Sequence, residues 1–172
     1  MNEYIAQHLP KGKEKETYVG GLLEMCIGGK TEPASTDDDM FRHIDLFWTT
    51  PKGIKVSIDV KGERKNKRGD KDTDNKIQWV EFVNVNGDNG WLRGGADYIA
   101  FMHAKEVLFV RRDRLLEFAT AKVRGKEISS DLPKEPYVPY RRNGRKDVIA
   151  KVLRRDLVGL SSFIITLQVL TL

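Results

Sequence analysis

The stretch 44–62 reads IDLFWTT, then PKG, then IKVSIDVKG, and the rest of the chain is organised around it. Both arms alternate and are rich in β-branched and aromatic residues, the signature of strands. Pro51-Lys52-Gly53 has the composition of a type I turn closed by a glycine in the left-handed region. If Thr50 and Ile54 close that turn, opposite residues sum to 104 and Asp45 faces Asp59. Side chains repeat every two residues on a strand. One face then carries Ile44, Leu46, Trp48, Ile54, Val56, Ile58 and Val60, an apolar set for a core. The other carries Asp45, Phe47, Thr49, Lys55, Ser57, Asp59 and Lys61.

Carboxylates directly opposite on neighbouring strands have Cβ atoms roughly 4.5–5.5 Å apart, and like charges so placed destabilise a sheet. A divalent cation between them turns repulsion into binding, because Mg²⁺ takes hard oxygen ligands. Lys61, one pleat beyond Asp59, aims an ammonium at the same place. A solvated polar face on an amphipathic hairpin is the plainer alternative. The register is the step on which the rest depends, because a slip of one residue moves a strand's side chains to the opposite face.

Asp45, the fourteen-residue step to Asp59, then Val60 and Lys61 resemble the signature of the PD-(D/E)XK, or restriction-endonuclease-like, nucleases. Archaeal Holliday-junction resolvases and many phage nucleases belong to that superfamily. The resemblance covers roughly Lys13 to Phe118, with His43-Ile44 standing where the family name has a proline. GWLRGGADYIAF, 91–101 with its preceding glycine, is similar to a segment of some phage-type members. The resemblance implies an α/β fold, a central four- to five-stranded mixed sheet flanked by helices. It also implies Mg²⁺ or Mn²⁺ held by Asp45, Asp59 and the carbonyl of Val60, with Lys61 assisting hydrolysis of DNA.

At 172 residues the chain is long enough for one domain with a real core, its centre at about 13–122 and an extension over 123–172. The net charge of +5 suits a polyanionic partner without demanding one. Cys26 is the single cysteine, which excludes an internal disulfide framework and a cysteine zinc site and agrees with a reducing cytoplasm. No apolar run is long enough to span a bilayer.

A helix is expected from Lys13 to about Ile27, with Val19, Leu22, Leu23 and Cys26 inward. The pair Gly20-Gly21 costs about 1 kcal/mol each relative to alanine, so something must pack closely there. Glu16 continues the inward stripe by one turn. By resemblance it is the family's helix-borne glutamate; the alternative is a first-turn acid favouring the helix dipole. Lys30 to Met40 reads as a loop, its Asp37-Asp38-Asp39 run solvated, with one Asp capping a turn or short helix.

After the hairpin, Arg64, Lys65, Lys67 and Arg68 form a basic stretch, either a phosphate-holding segment beside the site or a mobile polar loop. Lys76 to Val85 is a strand apolar on both faces. Gln78 and Glu81 are its polar intruders; a buried Glu81 needs a partner, so it is either in an ion pair or part of the site. The resemblance, in which a neighbouring element often carries a glutamine or an acid, makes both candidate site residues. Strands follow at Ala96–Met102 and Glu106–Val110, then a helix from Arg112 to about Lys122 with Asp113 as cap. Trp91, Tyr98 and Phe101 could stack on bases, although aromatics at strand spacing more often belong to a core. Arg141 and Arg142 make a second basic turn. The apolar tail from Ser162 to Leu172 must pair within the fold or across a homodimer. Besides a nuclease, two functions stay open: a nucleic-acid-binding protein with an idle acid pair, and an assembly protein built on the tail.

Overall fold

The computed structural model describes residues 13–63 and 74–167. Among them are helices α1 (Lys13–Cys26), α2 (Thr36–Arg42), α3 (Arg112–Val123) and α4 (Arg154–Leu160). The strands are β1 (Lys30–Pro33), β2 (Leu46–Thr49), β3 (Lys55–Lys61), β4 (Ile77–Val83), β5 (Tyr98–His103), β6 (Glu106–Arg111), β7 (Val148–Leu153) and β8 (Ser161–Thr166). The fold is mixed α/β. Its main sheet has six strands in the order β1-β2-β3-β5-β6-β8, and β4 and β7 form a separate two-stranded sheet. The main sheet is therefore wider than the four to five strands expected. Lys76–Val85 does not join it; that strand belongs to a second layer.

The central hairpin keeps its predicted register. Leu46, Phe47, Trp48 and Thr49 face Ile58, Ser57, Val56 and Lys55. Thr50 donates its N–H to Ile54 O (2.9 Å), Gly53 donates to Thr50 O (2.8 Å), and Gly53 lies at φ +79°. Only a residue at ease in the left-handed region fits there.

β3 and β5 run parallel, with Asp59 beside Ile99 and Lys61 beside Phe101. Every other strand pair is antiparallel. A parallel pair needs a crossover, and here that crossover includes β4. Both faces of the main sheet are thereby covered. On one, α1 lays Val19, Leu22 and Leu23 against Leu46, Trp48, Ile58 and Val60. On the other, Val80 and Phe82 of β4, Ala150 and Val152 of β7, Leu115 of α3 and Leu157 of α4 meet Ile99, Phe101, Leu108 and Val110. Full burial of such side chains contributes roughly 1.5–3 kcal/mol each.

The close contact expected at Gly20 exists: a Cβ there would lie 2.9 Å from Thr31 Oγ1. Gly21 faces open space. The stretch read as a loop holds β1 and α2. β1 is an edge strand of sequence KTEP, fixed by its backbone partners on β2 rather than by apolar alternation. Ser35 caps α2 by accepting from Asp38 N (3.1 Å), so the cap is the serine and not an aspartate. Asp113 likewise lies in the first turn of α3, one residue inside, with Arg111 at the cap position. The described part of the tail pairs within the fold, β8 lying antiparallel on β6, and 168–172 lie outside the described residues. The segment 148–166 is thus built into both cores, through Ala150, Val152, Leu157 and Ile165. No helix among the described residues is long and apolar enough to cross a membrane.

Candidate functional site

Asp59 stands on β3 at the middle of the main sheet, on the face covered by the β4–β7 layer, with 1% of its surface exposed. Lys61 follows on the same face. Its Nζ lies 2.6 Å from Asp59 Oδ1 and 5.2 Å from the centre of the Trp91 ring. Lys61 is the charged contact of Asp59 Oδ1, and Asp45 stands near enough to act on the same carboxyl. Burial pushes the Asp59 carboxyl up to about 7; Lys61 opposes the rise and Asp45 adds to it.

Asp45 arrives differently from the expectation. Its N–H donates to Ile58 O (2.9 Å), and Ile58 is also the partner of Leu46, so two residues of the first arm meet one of the second. That is a bulge, and a bulge re-aims side chains. The turn before it contributes: His43 ends α2 in the left-handed region at φ 54°. Ile44 consequently leaves the predicted set of Leu46 and Trp48 and enters the core on the opposite face. Ile54 is also outside that set, 59% exposed at the turn. Asp45 is not paired across the ladder with Asp59. It sits at the ladder's end, where its Oδ2 accepts the N–H of Val60 (2.6 Å). In a strand the N–H and C=O of one residue point the same way, so the Val60 carbonyl opens toward Asp45 as well.

Glu16 and Asp45 line one cleft of about 240 Å³ between α1, β1 and α2, together with Asp39, Lys13 and Thr17. The Glu16 carboxyl is raised by burial first, then by Asp45 and Asp39; Lys13 and Lys61 oppose this. Asp39 is the site residue that the sequence reading missed. In the acidic run Asp38 is engaged by Ser35 and Arg42, whereas Asp39 faces the cleft. The available signal was the Ser35 cap, which fixes the phase of the short helix after it.

Gln78 is buried, on the side of β4 that carries Val80 and Phe82. Its Nε2 donates to the Gly62 carbonyl (3.0 Å), tying β4 to the chain just beyond Lys61. Glu81 corrects the expectation of a buried carboxylate. It is half-buried, with Trp79 and Val83, on the opposite side of β4 from Gln78. Trp91 and Phe101 are core residues in edge contact, and Tyr98 is half-buried against the α1-side core. Arg142 is ion-paired to the fully buried Asp147, and Arg141 is exposed. Arg64, Lys65, Lys67 and Arg68 lie outside the described residues.

Among the described residues no three His, Cys, Asp or Glu side chains stand close enough together to enclose a metal ion. Mg²⁺ does not require such a cage, because it is bound through one or two carboxylates and keeps several waters. The Asp59 carboxyl, whose Oδ1 is engaged by Lys61, the Asp45 carboxylate and the Val60 carbonyl fit that donor set. No protein-family model matches the chain, and neither the curated proteins nor the solved structures give a match.

Proposed function

We propose that the chain is a metal-dependent nuclease acting on DNA phosphodiester bonds. The observation that carries the reading is Asp59: a carboxylate 1% exposed at the middle of a sheet, paired with the Lys61 ammonium and pushed up to about 7 by burial. Burying such a group is costly even when it is paired, and its immediate company is a second acid and a lysine. A merely structural position would be better served by an apolar residue. The order helix, antiparallel hairpin, then a strand parallel to β3 also supports the restriction-endonuclease-like resemblance drawn from Asp45, Asp59 and Lys61.

Asp45, Asp59 and the Val60 carbonyl would hold Mg²⁺ or Mn²⁺. Such an ion, when bound, lowers the pKa of its water and offsets charge on phosphate. Lys61 supplies a fixed positive charge where negative charge develops, in a setting shielded from water. Glu16 and Asp39, from the cleft side, orient water and accept a proton in the Asp45 direction. Gln78 holds the backbone behind Lys61 in place.

One observation favours a second reading. Lys61 already neutralises Asp59 at 2.6 Å, as it would in a nucleic-acid-binding protein whose acid pair is idle. Labelled linear, single-stranded and four-way-junction DNAs, incubated with and without Mg²⁺, separate the two. Cleavage that requires the ion and is lost in Asp59→Ala and Lys61→Ala supports the nuclease. Salt-sensitive binding with neither cleavage nor Mg²⁺ uptake supports the alternative.

A further inference from the structure

Among the described residues Lys61 stands against Asp59 and Trp91, and its charge also acts on Glu16. Its Nζ touches Asp59 Oδ1 at 2.6 Å and stands 5.2 Å from the Trp91 ring centre, with the lysine side chain 19% exposed. A cation taking Asp59 Oδ1 displaces that ammonium. An ammonium released in a largely covered site needs a new partner or must reach water, because an unpaired buried charge is costly. The indole face is a partner already in range: tryptophan is the strongest aromatic for a cation within about 6 Å of its centroid.

Trp91 is placed to do this without moving. It is 8% exposed, begins the 3-10 turn Trp91–Arg93, and stands edge-on to Phe101 with ring centres 6.2 Å apart. The residue before it is fixed as well, since a Cβ on Gly90 would fall 2.4 Å from Glu81 O. Behind Lys61 the chain is held by the bond from Gln78 to Gly62. The lysine side chain can therefore swing while its backbone and the ring stay put.

We infer that Trp91 is the positioning residue that retains the Lys61 ammonium inside the site once a divalent cation occupies Asp59. The inference rests on the metal-dependent reading proposed above. It makes Lys61 a two-position side chain: on Asp59 without the ion, against the Trp91 face with it.

The test uses the whole chain titrated with Mg²⁺, with uptake followed by calorimetry and indole emission recorded at each step. Wild type, Trp91→Phe, Trp91→Leu and Lys61→Met are compared, each checked for folding by circular dichroism. The expected result is an emission shift that accompanies Mg²⁺ uptake in wild type and is absent from both Trp91→Phe and Lys61→Met. On DNA, Trp91→Leu loses about tenfold in kcat with little change in KM, and Trp91→Phe recovers part of that loss. Mg²⁺ uptake with no emission shift in wild type, or with the same shift in Lys61→Met, overturns the inference and leaves the metal site standing. Absence of Mg²⁺ uptake overturns both. If Trp91→Leu does not fold, the comparison of wild type with Lys61→Met decides.

Discussion

Lys61 reaches back along its own strand to Asp59, and the two charges meet 2.6 Å apart at the centre of a sheet covered on both faces. The acid is almost fully buried and the ammonium is not, so the pair is held unequally: Asp59 pays for desolvation more than Lys61 does.

The first consequence is a stability that falls as pH rises. The Asp59 carboxyl is ordinarily near 3.8 and is pushed up to about 7 by burial. Between those values the folded chain keeps a proton that the unfolded chain has released, so stability is greatest below the lower value and declines through the upper one. Asp59→Asn removes this slope. Its melting temperature at pH 8 should exceed that of wild type, by an amount on the order of 1–3 kcal/mol in denaturant titrations, and the gap should close toward pH 4. A wild-type melting temperature unchanged from pH 5 to pH 8 would count against a buried, protonatable Asp59.

Cation uptake should have the opposite pH dependence. A ligating carboxylate must lose its proton first, so below about 7 the Mg²⁺ affinity should weaken about tenfold for each unit of acidification. Calorimetry at pH 6 and pH 8 checks this. Asp45→Asn and Asp59→Asn should each abolish uptake at both.

Asp39 acts on Glu16 across the cleft. Asp39→Asn removes one of the neighbouring charges that raise the Glu16 carboxyl, so that group should titrate lower than in wild type. It should stay above the ordinary glutamate value, because burial is the larger cause and persists. Carboxyl-carbon NMR of the two proteins gives the comparison. Identical titrations would remove Asp39 from the site.

Asp97 fixes the strand that carries Asp59. Its Oδ2 accepts both the N–H and the hydroxyl of buried Ser57 (2.8 Å each), and its own N–H donates to Ser57 O (3.0 Å). Asp97→Ala leaves the Ser57 N–H without an acceptor, at about 1–3 kcal/mol. Chemical denaturation should show that loss. The conservative Asp97→Asn, which keeps an acceptor, should recover most of it.

The hairpin was legible because everything that sets it is local. Alternation, the PKG turn and a glycine able to take φ +79° fix the register from Leu46–Ile58 to Thr49–Lys55, which occurs, whereas the pairing of Asp45 with Asp59 that the same register predicts does not. Period two also placed Asp59 and Lys61 on one face. It said nothing of what would cover that face: Ser57 and Asp59 look like a solvated row until Asp97, far along the chain, closes on Ser57 and Trp91 stands against Lys61. The bulge at Asp45 was hidden for a related reason, since His43 carries no glycine-like signal of a left-handed turn. β1 was missed because an edge strand held by backbone bonds needs no apolar pattern, and KTEP has none. Glu81 was misread because a strand apolar on both sides does not show which side turns inward.

The second layer leaves its mark on synthesis as well as on the finished molecule. β4 has β7 as its strand partner, and β7 is translated long after β3 and β5 have emerged. Until then Ile99, Phe101, Leu108 and Val110 lack the Ala150 and Val152 side chains that complete their core. A nascent chain still lacking β7 therefore carries the three residues of the motif on a sheet whose covering core is unfinished.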